Sequence, residues 1–207
     1  MGETDTKQKI LDASLLLFNE KGISNVRLQQ IADETGISVG NLAYHYNTKE
    51  IIAESLITHV TALLRNTLRS HGKQASLTEV DLFFKKFYKL SARYLFFSYD
   101  ILEIKRNFPA SYELVQPIAN KVRLQLEKRF DVCLQQQLLQ KGINSKHIAS
   151  NTILLMFFMP TERQLNGIGI VSESQYCRRL WSYLMVYFTT KGKKEYRLLI
   201  EPGLIRK

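Results

Sequence analysis

The sequence predicts an all-α chain, and three observations predict it. Glycine (10) and proline (4) are sparse in 207 residues. Apolar residues recur at helical rather than alternating spacing, and short breaks carrying a glycine or a capping residue separate the periodic runs. A sandwich or barrel of short strands needs turn residues far more often. With 45% hydrophobic and 11% aromatic residues, there is apolar material for one sizeable core, or for a small domain joined to a larger one.

The first helix is expected over 6–21, where Ile10, Ala13, Leu17 and Phe18 share a face and Gly22 supplies the stop. A second, short helix carries Leu28, Ile31 and Ala32 and ends at Gly36. Ser38 is a cap for a third over 39–46, with Val39, Leu42 and Tyr46 turned inward. Thr48 caps a fourth, whose Glu50 suits the first turn and whose Ile52, Leu56, Val60, Leu63 and Leu64 form its apolar stripe. That helix is expected to fade near His71 and Gly72. Further helices are predicted over about 77–97, 100–107, 112–140, 145–165 (with Ser145 as cap) and 172–188, with Gly142, Gly167 and Gly169 as breaks. The basic tail after Lys191 has an apolar patch and no assignment.

The formal charge is +10, which invites a nucleic-acid partner. Its distribution is uneven, however. Up to Ala75 there are eight Lys/Arg and eight Asp/Glu, so the excess lies downstream, 21 basic against 11 acidic residues. Bulk charge is therefore not the argument for DNA; the placement of individual residues is. Cys133 and Cys177 stand alone, without a CxxC or a His/Cys cluster, which fits a reducing cytoplasm. The N-terminus lacks a charged-then-apolar signal pattern, and the longest apolar run, 153–160, is short of the ~18 residues of a membrane span. A soluble cytoplasmic protein without membrane contact is expected. No paired carboxylates, GxSxG, P-loop, HExxH or glycine-rich dinucleotide fingerprint is present, and the four histidines are scattered. The expectation is a non-enzyme with no metal and no cofactor.

Three short helices in the first fifty residues, the second and third joined by a tight Thr35-Gly36-Ile37 turn, match a helix-turn-helix. Such a motif needs one apolar face inward and one small or hydrogen-bonding face outward. Ser38, Gly40, Asn41, Tyr44 and His45 are that outward face, and it has no carboxylate to repel phosphate. Gly40 lets the backbone approach a groove closely. Asn41 suits a base edge, and Tyr44 and His45 suit bases or phosphates. Lys49, at a helix N-terminus where a cation opposes the dipole, suits a phosphate. Arg27 does too. The candidate DNA-contacting set is thus Arg27, Ser38, Val39, Gly40, Asn41, Tyr44, His45 and Lys49, Val39 counting also among the inward residues, and Tyr46 is assigned to the core.

These residues resemble the TetR family of regulators. The likeness runs through Ile10-Leu11-Asp12-Ala13, Leu17-Phe18-Asn19-Glu20-Lys21-Gly22, Ile31-Ala32, Gly36-Ile37-Ser38, Gly40-Asn41-Leu42 and His45-Tyr46-Asn47-Thr48-Lys49-Glu50, about fifty residues in all. It implies a homodimer of about nine helices per subunit that binds an operator in double-stranded DNA. It also implies a DNA-binding domain over 1–50 and a ligand-binding and dimerisation domain over 51–207. A repressor released by a small apolar effector is the corresponding function; a helical protein that keeps the head but acts through a protein partner is the alternative. Two positions depart from the family pattern. Arg27 stands where a threonine usually caps the second helix, and Ala43 replaces a frequent tyrosine that contacts the DNA backbone.

In the larger domain, Phe83, Phe84, Phe87, Tyr88, Tyr94, Phe96, Phe97 and Tyr99 crowd one stretch, and adjacent pairs cannot all face one core. Phe87, Tyr94 and Phe157 are the expected wall of an apolar effector pocket. The resemblance places the dimer interface on the two helices over 145–165 and 172–188. Its candidate residues are Ile148, Thr152, Leu155 and Met159, with Leu180, Trp181, Leu184, Tyr187 and Phe188.

Overall fold

The computed structural model describes residues 3–69, 77–167 and 171–202; the expected fade near His71 and the break at Gly169 lie outside them. The helices are α1 (Glu3–Lys21), α2 (Leu28–Thr35), α3 (Val39–His45), α4 (Lys49–Arg69), α5 (Leu77–Arg93) and α6 (Leu95–Tyr99). They continue as α7 (Ile101–Asn107), α8 (Pro109–Gln135), α9 (Ser145–Leu165), α10 (Glu173–Leu184) and α11 (Thr190–Leu199). A 3-10 turn, Met185–Tyr187, extends α10. Among the described residues the only strand-like pairing is an isolated bridge, Leu139 with Phe188, so the all-α expectation stands.

Among the described residues eleven helices exceed the nine implied by the resemblance, and two local causes account for the difference. The stretch expected as one helix over 77–97 breaks at Tyr94, whose backbone leaves the helical region. There the Phe96 amide donates to Asn19 Oδ1 at 3.0 Å instead of to a helical carbonyl. The unassigned tail forms α11, capped by Thr189, whose hydroxyl accepts from the Gly192 amide at 3.1 Å. The cap of α9 also differs from expectation: Asn144 Oδ1, not Ser145, accepts from the His147 amide at 3.0 Å.

The chain divides into two compact units, Met1–Leu63 with Tyr94–Val115, and Leu64–Arg93 with Gln116–Lys207. The first therefore takes in more than the head expected over 1–50. Its core gathers Ile10, Leu17 and Phe18 of α1, Ile31 and Ala32 of α2, Leu42 of α3 and Phe96 of α6. Phe18 meets Phe96 at a ring separation of 6.0 Å.

The second unit is built around Trp181, which is fully buried. Its ring packs against Phe84 of α5 and Tyr196 of α11, each at 5.5 Å, and against Phe188 at 6.1 Å. A buried indole N–H needs an acceptor, and Nε1 donates to the enclosed Asp81 Oδ1 at 2.8 Å. The other Asp81 oxygen takes the Lys85 ammonium at 2.7 Å, so neither the donor nor the buried charge is left alone. Cys133 and Cys177 are free and buried. Burial, with Glu195 near Cys133 and with Asp81 and Glu173 near Cys177, pushes both thiols up to about 12, which makes them poor nucleophiles at neutral pH.

Gly192 shows how closely α11 is seated. A Cβ there would lie 2.1 Å from the Leu138 carbonyl oxygen and 3.0 Å from its carbon, and that carbonyl already accepts from the Thr189 amide at 3.0 Å. Helix propensity alone would favour alanine by about 1 kcal/mol. The backbone clash reverses the sign: Gly192→Ala is expected to destabilise by roughly 3 kcal/mol, read as a lower melting temperature. A raised melting temperature would contradict the close approach.

Candidate nucleic-acid interface

The turn between α2 and α3 is made locally. Gly36 adopts φ 72°, a left-handed conformation that penalises any Cβ. Its amide donates to Asp33 O at 3.1 Å, and Ile37 N to Ala32 O at 3.0 Å, closing the end of α2 as a Schellman-type cap. Thr35 Oγ1 donates to Ile31 O at 2.6 Å. Ser38 then caps α3, accepting from Asn41 N at 3.1 Å. Leu42, with no exposed surface, pins the helix from within. Val39 and Tyr46, expected inward, are half-buried. Burial raises the Tyr46 phenol above its ordinary value, against a lowering influence from Lys7.

What this leaves outward is Ser38, Gly40, Asn41 and Tyr44, all exposed, Tyr44 by 76%. His45 is half-buried, its ring edge-on to Tyr44 at 5.1 Å. Its Nδ1 is enclosed without a hydrogen-bond partner, so only part of the imidazole is available outside. A Cβ on Gly40 would meet nothing closer than Ser38 Oγ at 3.9 Å. The protein itself therefore does not require glycine there. Gly40→Ala is expected to leave the fold intact, with helix propensity improved by about 1 kcal/mol, and to weaken DNA binding if the backbone approaches the groove. Melting and a binding titration on the same variant separate the two effects.

Arg27 stands exposed at the start of α2. The cap that a threonine would supply is replaced by half a capping box. Gln30 Oε1 accepts from the Arg27 amide at 2.8 Å, while a guanidinium has no acceptor to return the bond. Lys49 does not point its ammonium outward. Nζ donates to Ile23 O at 2.8 Å and Ser24 O at 3.3 Å, so it holds the turn after α1.

The same turn is gripped from α7. Asp100 accepts from the Ile23 amide at 2.8 Å, and Glu103 accepts from the Ser24 hydroxyl. Burial, with Glu103 nearby, raises the Asp100 carboxyl above its usual range, and the Ile23 hydrogen bond opposes the rise. Sequence reasoning missed Asn19, Asp100 and Glu103. Their partners lie 77 to 79 positions away, and no local pattern marks such pairs.

The expected pocket residues fall in different units. Phe87 meets Phe157 edge-on at 5.0 Å in the second, whereas Tyr94 packs against His59 at 6.1 Å in the first. The second unit also has a groove of ≈ 570 Å³ lined by Leu134, Gln137, Leu139, Lys141 and Thr189 among others, and a small cavity beside Arg129; neither is lined by Phe87 or Phe157. Of the expected interface residues, Ile148, Thr152, Met159, Leu180, Trp181, Leu184 and Phe188 are buried within the chain itself. A side chain already enclosed has no surface to offer a partner, so these seven serve the core. Leu155 and Tyr187 are half-exposed. The exposed apolar residues on the same elements are Leu154 (67%), Phe158 (58%) and Val186 (66%). Among the described residues no helix is long and apolar enough to cross a membrane.

Residues 10–56 match the family model described as "Bacterial regulatory proteins, tetR family". The chain is 23% identical over 189 residues to the biofilm operon icaADBC HTH-type negative transcriptional regulator IcaR of Staphylococcus aureus (strain Newman), covering 87% of this chain and 98% of that protein. A solved TetR-family transcriptional regulator from Marinobacter aquaeolei VT8 shares the fold with a TM-score of 0.80 at 20% identity, over 98% of each chain. A solved gamma-butyrolactone receptor (ArpA-like protein) aligns with a TM-score of 0.68 at 15% identity, over 95% of each chain. Residues 10–56 therefore carry a TetR-type helix-turn-helix, and these likenesses support a DNA-binding transcriptional regulator of the TetR family.

Proposed function

We propose that this regulator is a repressor that binds a two-fold symmetric operator as a homodimer and leaves it when a small, largely apolar effector binds. The observation that carries the DNA part is α3. The Asn41 amide is capped by Ser38, the inner side is pinned by Leu42, and the Asn41 side chain and most of the Tyr44 ring, which touches only His45 edge-on, are left exposed. Arg27 and Ser38 flank them at the starts of α2 and α3, where phosphate oxygens would lie. Lys49 acts in this reading by positioning the head through Ile23 and Ser24. The similarity to a named negative regulator supports repression, and the likeness to a lactone receptor supports a small organic effector.

Dimerisation fits the exposed stripe of Leu154 and Phe158, one turn apart on α9, with Val186 and the half-exposed Leu155, Tyr183 and Tyr187. Exposed aromatic and aliphatic side chains at such spacing suit a helix-on-helix interface. A two-fold dimer reads successive major grooves only when its recognition helices lie about 34–36 Å apart. An effector that prefers another spacing weakens operator binding by its differential affinity for the two shapes. The test is a gel shift against the DNA flanking the protein's own gene. Failure to bind any fragment there would favour the protein-partner alternative. Phe158→Glu is expected to yield a folded monomer by sedimentation, with operator binding weakened at least about tenfold; an unchanged dimer would exclude this face.

A further inference from the structure

We infer that the groove between the α8–α9 connection and the start of α11 binds a small organic phosphate monoester. Lys141 and Lys191 hold the phosphate, and a short apolar body lies over Leu134 and Leu139. This site is separate from the apolar effector and from the dimer face. The distribution of charge points toward it first. Of 29 Lys/Arg and 19 Asp/Glu, the second unit holds 22 and 8, which leaves 7 and 11 to the unit that carries the DNA head. Contact between the head and DNA phosphate therefore does not account for the basic excess. An excess of that sign raises the local concentration of small anions.

The groove has the room. Its ≈ 570 Å³ falls within the roughly 300–1,000 Å³ of small-molecule sites. Its walls are set by the protein's own bonds. Leu139 pairs with Phe188, the Gln140 amide donates to Tyr187 O at 2.9 Å, and the Thr189 amide donates to Leu138 O at 3.0 Å. The space is therefore formed before a ligand arrives. Lys191 Nζ donates to the neutral Gln136 carbonyl at 2.8 Å, which fixes the ammonium without balancing its charge. Lys141 is exposed, and its ammonium has neither an ion pair nor a hydrogen bond among the described residues. No carboxylate is among the described lining residues; Glu195, one turn along α11 from Lys191, acts on Cys133 instead. Two ammoniums match the near-dianion of a phosphate monoester better than the single charge of a carboxylate. No guanidinium fork lines the groove to favour a planar head.

Gln137 is an independent sign of use. It is the one described residue other than glycine with a positive φ, 59°. It ends α8 with its amide on Leu134 O and the Leu138 amide on Cys133 O, both at 2.9 Å, the position where glycine is preferred. A glutamine there costs stability, and such local departures concentrate where a side chain is needed. Its side chain lines the groove.

The experiment is calorimetric titration of the full-length protein at low salt and pH 8 with butyl phosphate, butanol and inorganic phosphate. Butyl phosphate is expected to bind once per chain, about tenfold or more tightly than either of the others. Lys141→Met, at a side chain without an internal partner, should weaken it about tenfold and leave the melting temperature unchanged. Gln137→Gly should melt higher, by about 2–4 °C, and yet bind the ester less tightly; a purely structural residue would show the gain without the loss. Lowering the pH to 5 should weaken binding, because the ester loses its second charge near a pKa of about 6 while the lysines keep theirs. No binding, or butanol or inorganic phosphate bound as tightly as the ester, would overturn the inference. So would full affinity in Lys141→Met or in Gln137→Gly. Several copies per chain, all removed together by salt, would also overturn it, since the basic surface would then attract anions without a site.

Discussion

Trp181→Ala is expected to lower the melting temperature more than any other single truncation in the second unit. Removing a fully buried tryptophan costs about 3–5 kcal/mol through lost transfer energy and the cavity left behind. Here the void would open onto Phe84, Phe188 and Tyr196 at once, so three elements are deprived of their common neighbour. The substitution also strips Asp81 of the indole donor, and an underserved buried acceptor adds about 1–3 kcal/mol. Against a total stability of about 5–15 kcal/mol, the sum is a large fraction. A fall of roughly 10–20 °C follows for a chain of this size. Trp181→Phe separates the contributions: it keeps most of the ring packing and loses only the N–H, so its cost should be less than half. If Trp181→Ala and Trp181→Phe melt alike, packing around the indole is not what holds the unit together.

That tryptophan illustrates where sequence reasoning stops. An apolar stripe over Ile148, Thr152, Leu155 and Met159 is legible as one helix face, but apolarity does not say whether the facing surface belongs to the same chain or to a second copy. Thr152 looked like a mixed interface position, yet its hydroxyl donates to Ile148 O at 2.8 Å and is satisfied within its own helix. Trp181 is of a type enriched at interfaces, but here serves the core. The helix-turn-helix was legible because its determinants are local: the left-handed glycine at 36, the cap at 38 and the buried Leu42 lie within seven residues. Lys49 was legible only as a cation at a helix start. Its partners Ile23 and Ser24 are 25 to 26 residues away, and the paired grip from Asp100 and Glu103 comes from farther still. The tail helix had its signals, Thr189 as cap and Tyr196 and Ile200 four apart on the buried side. A run of lysines on the solvent face obscured them.

Alanine at Asn41 and at Tyr44 tests the recognition face with least disturbance to the fold, since both side chains are exposed and Asn41 is bonded through its backbone amide. Alanine is also the better helix former at both positions, so neither variant should melt lower. Loss of a base contact costs about 1–3 kcal/mol. In a dimer that uses two copies of α3, Asn41→Ala alone should therefore weaken operator binding by roughly 30-fold or more. Because asparagine is uncharged, the slope of affinity against salt should stay as it is while discrimination against unrelated DNA narrows. Arg27→Ala should behave in the opposite way, with a slope reduced by about one for each phosphate no longer neutralised and with specificity kept. Fluorescence anisotropy with operator and scrambled duplexes, repeated at several salt concentrations, reads all of these. Operator affinity unchanged in both the Asn41 and Tyr44 variants would mean that the outward side of α3 does not enter a groove. The chain would then have to meet its target through some other surface.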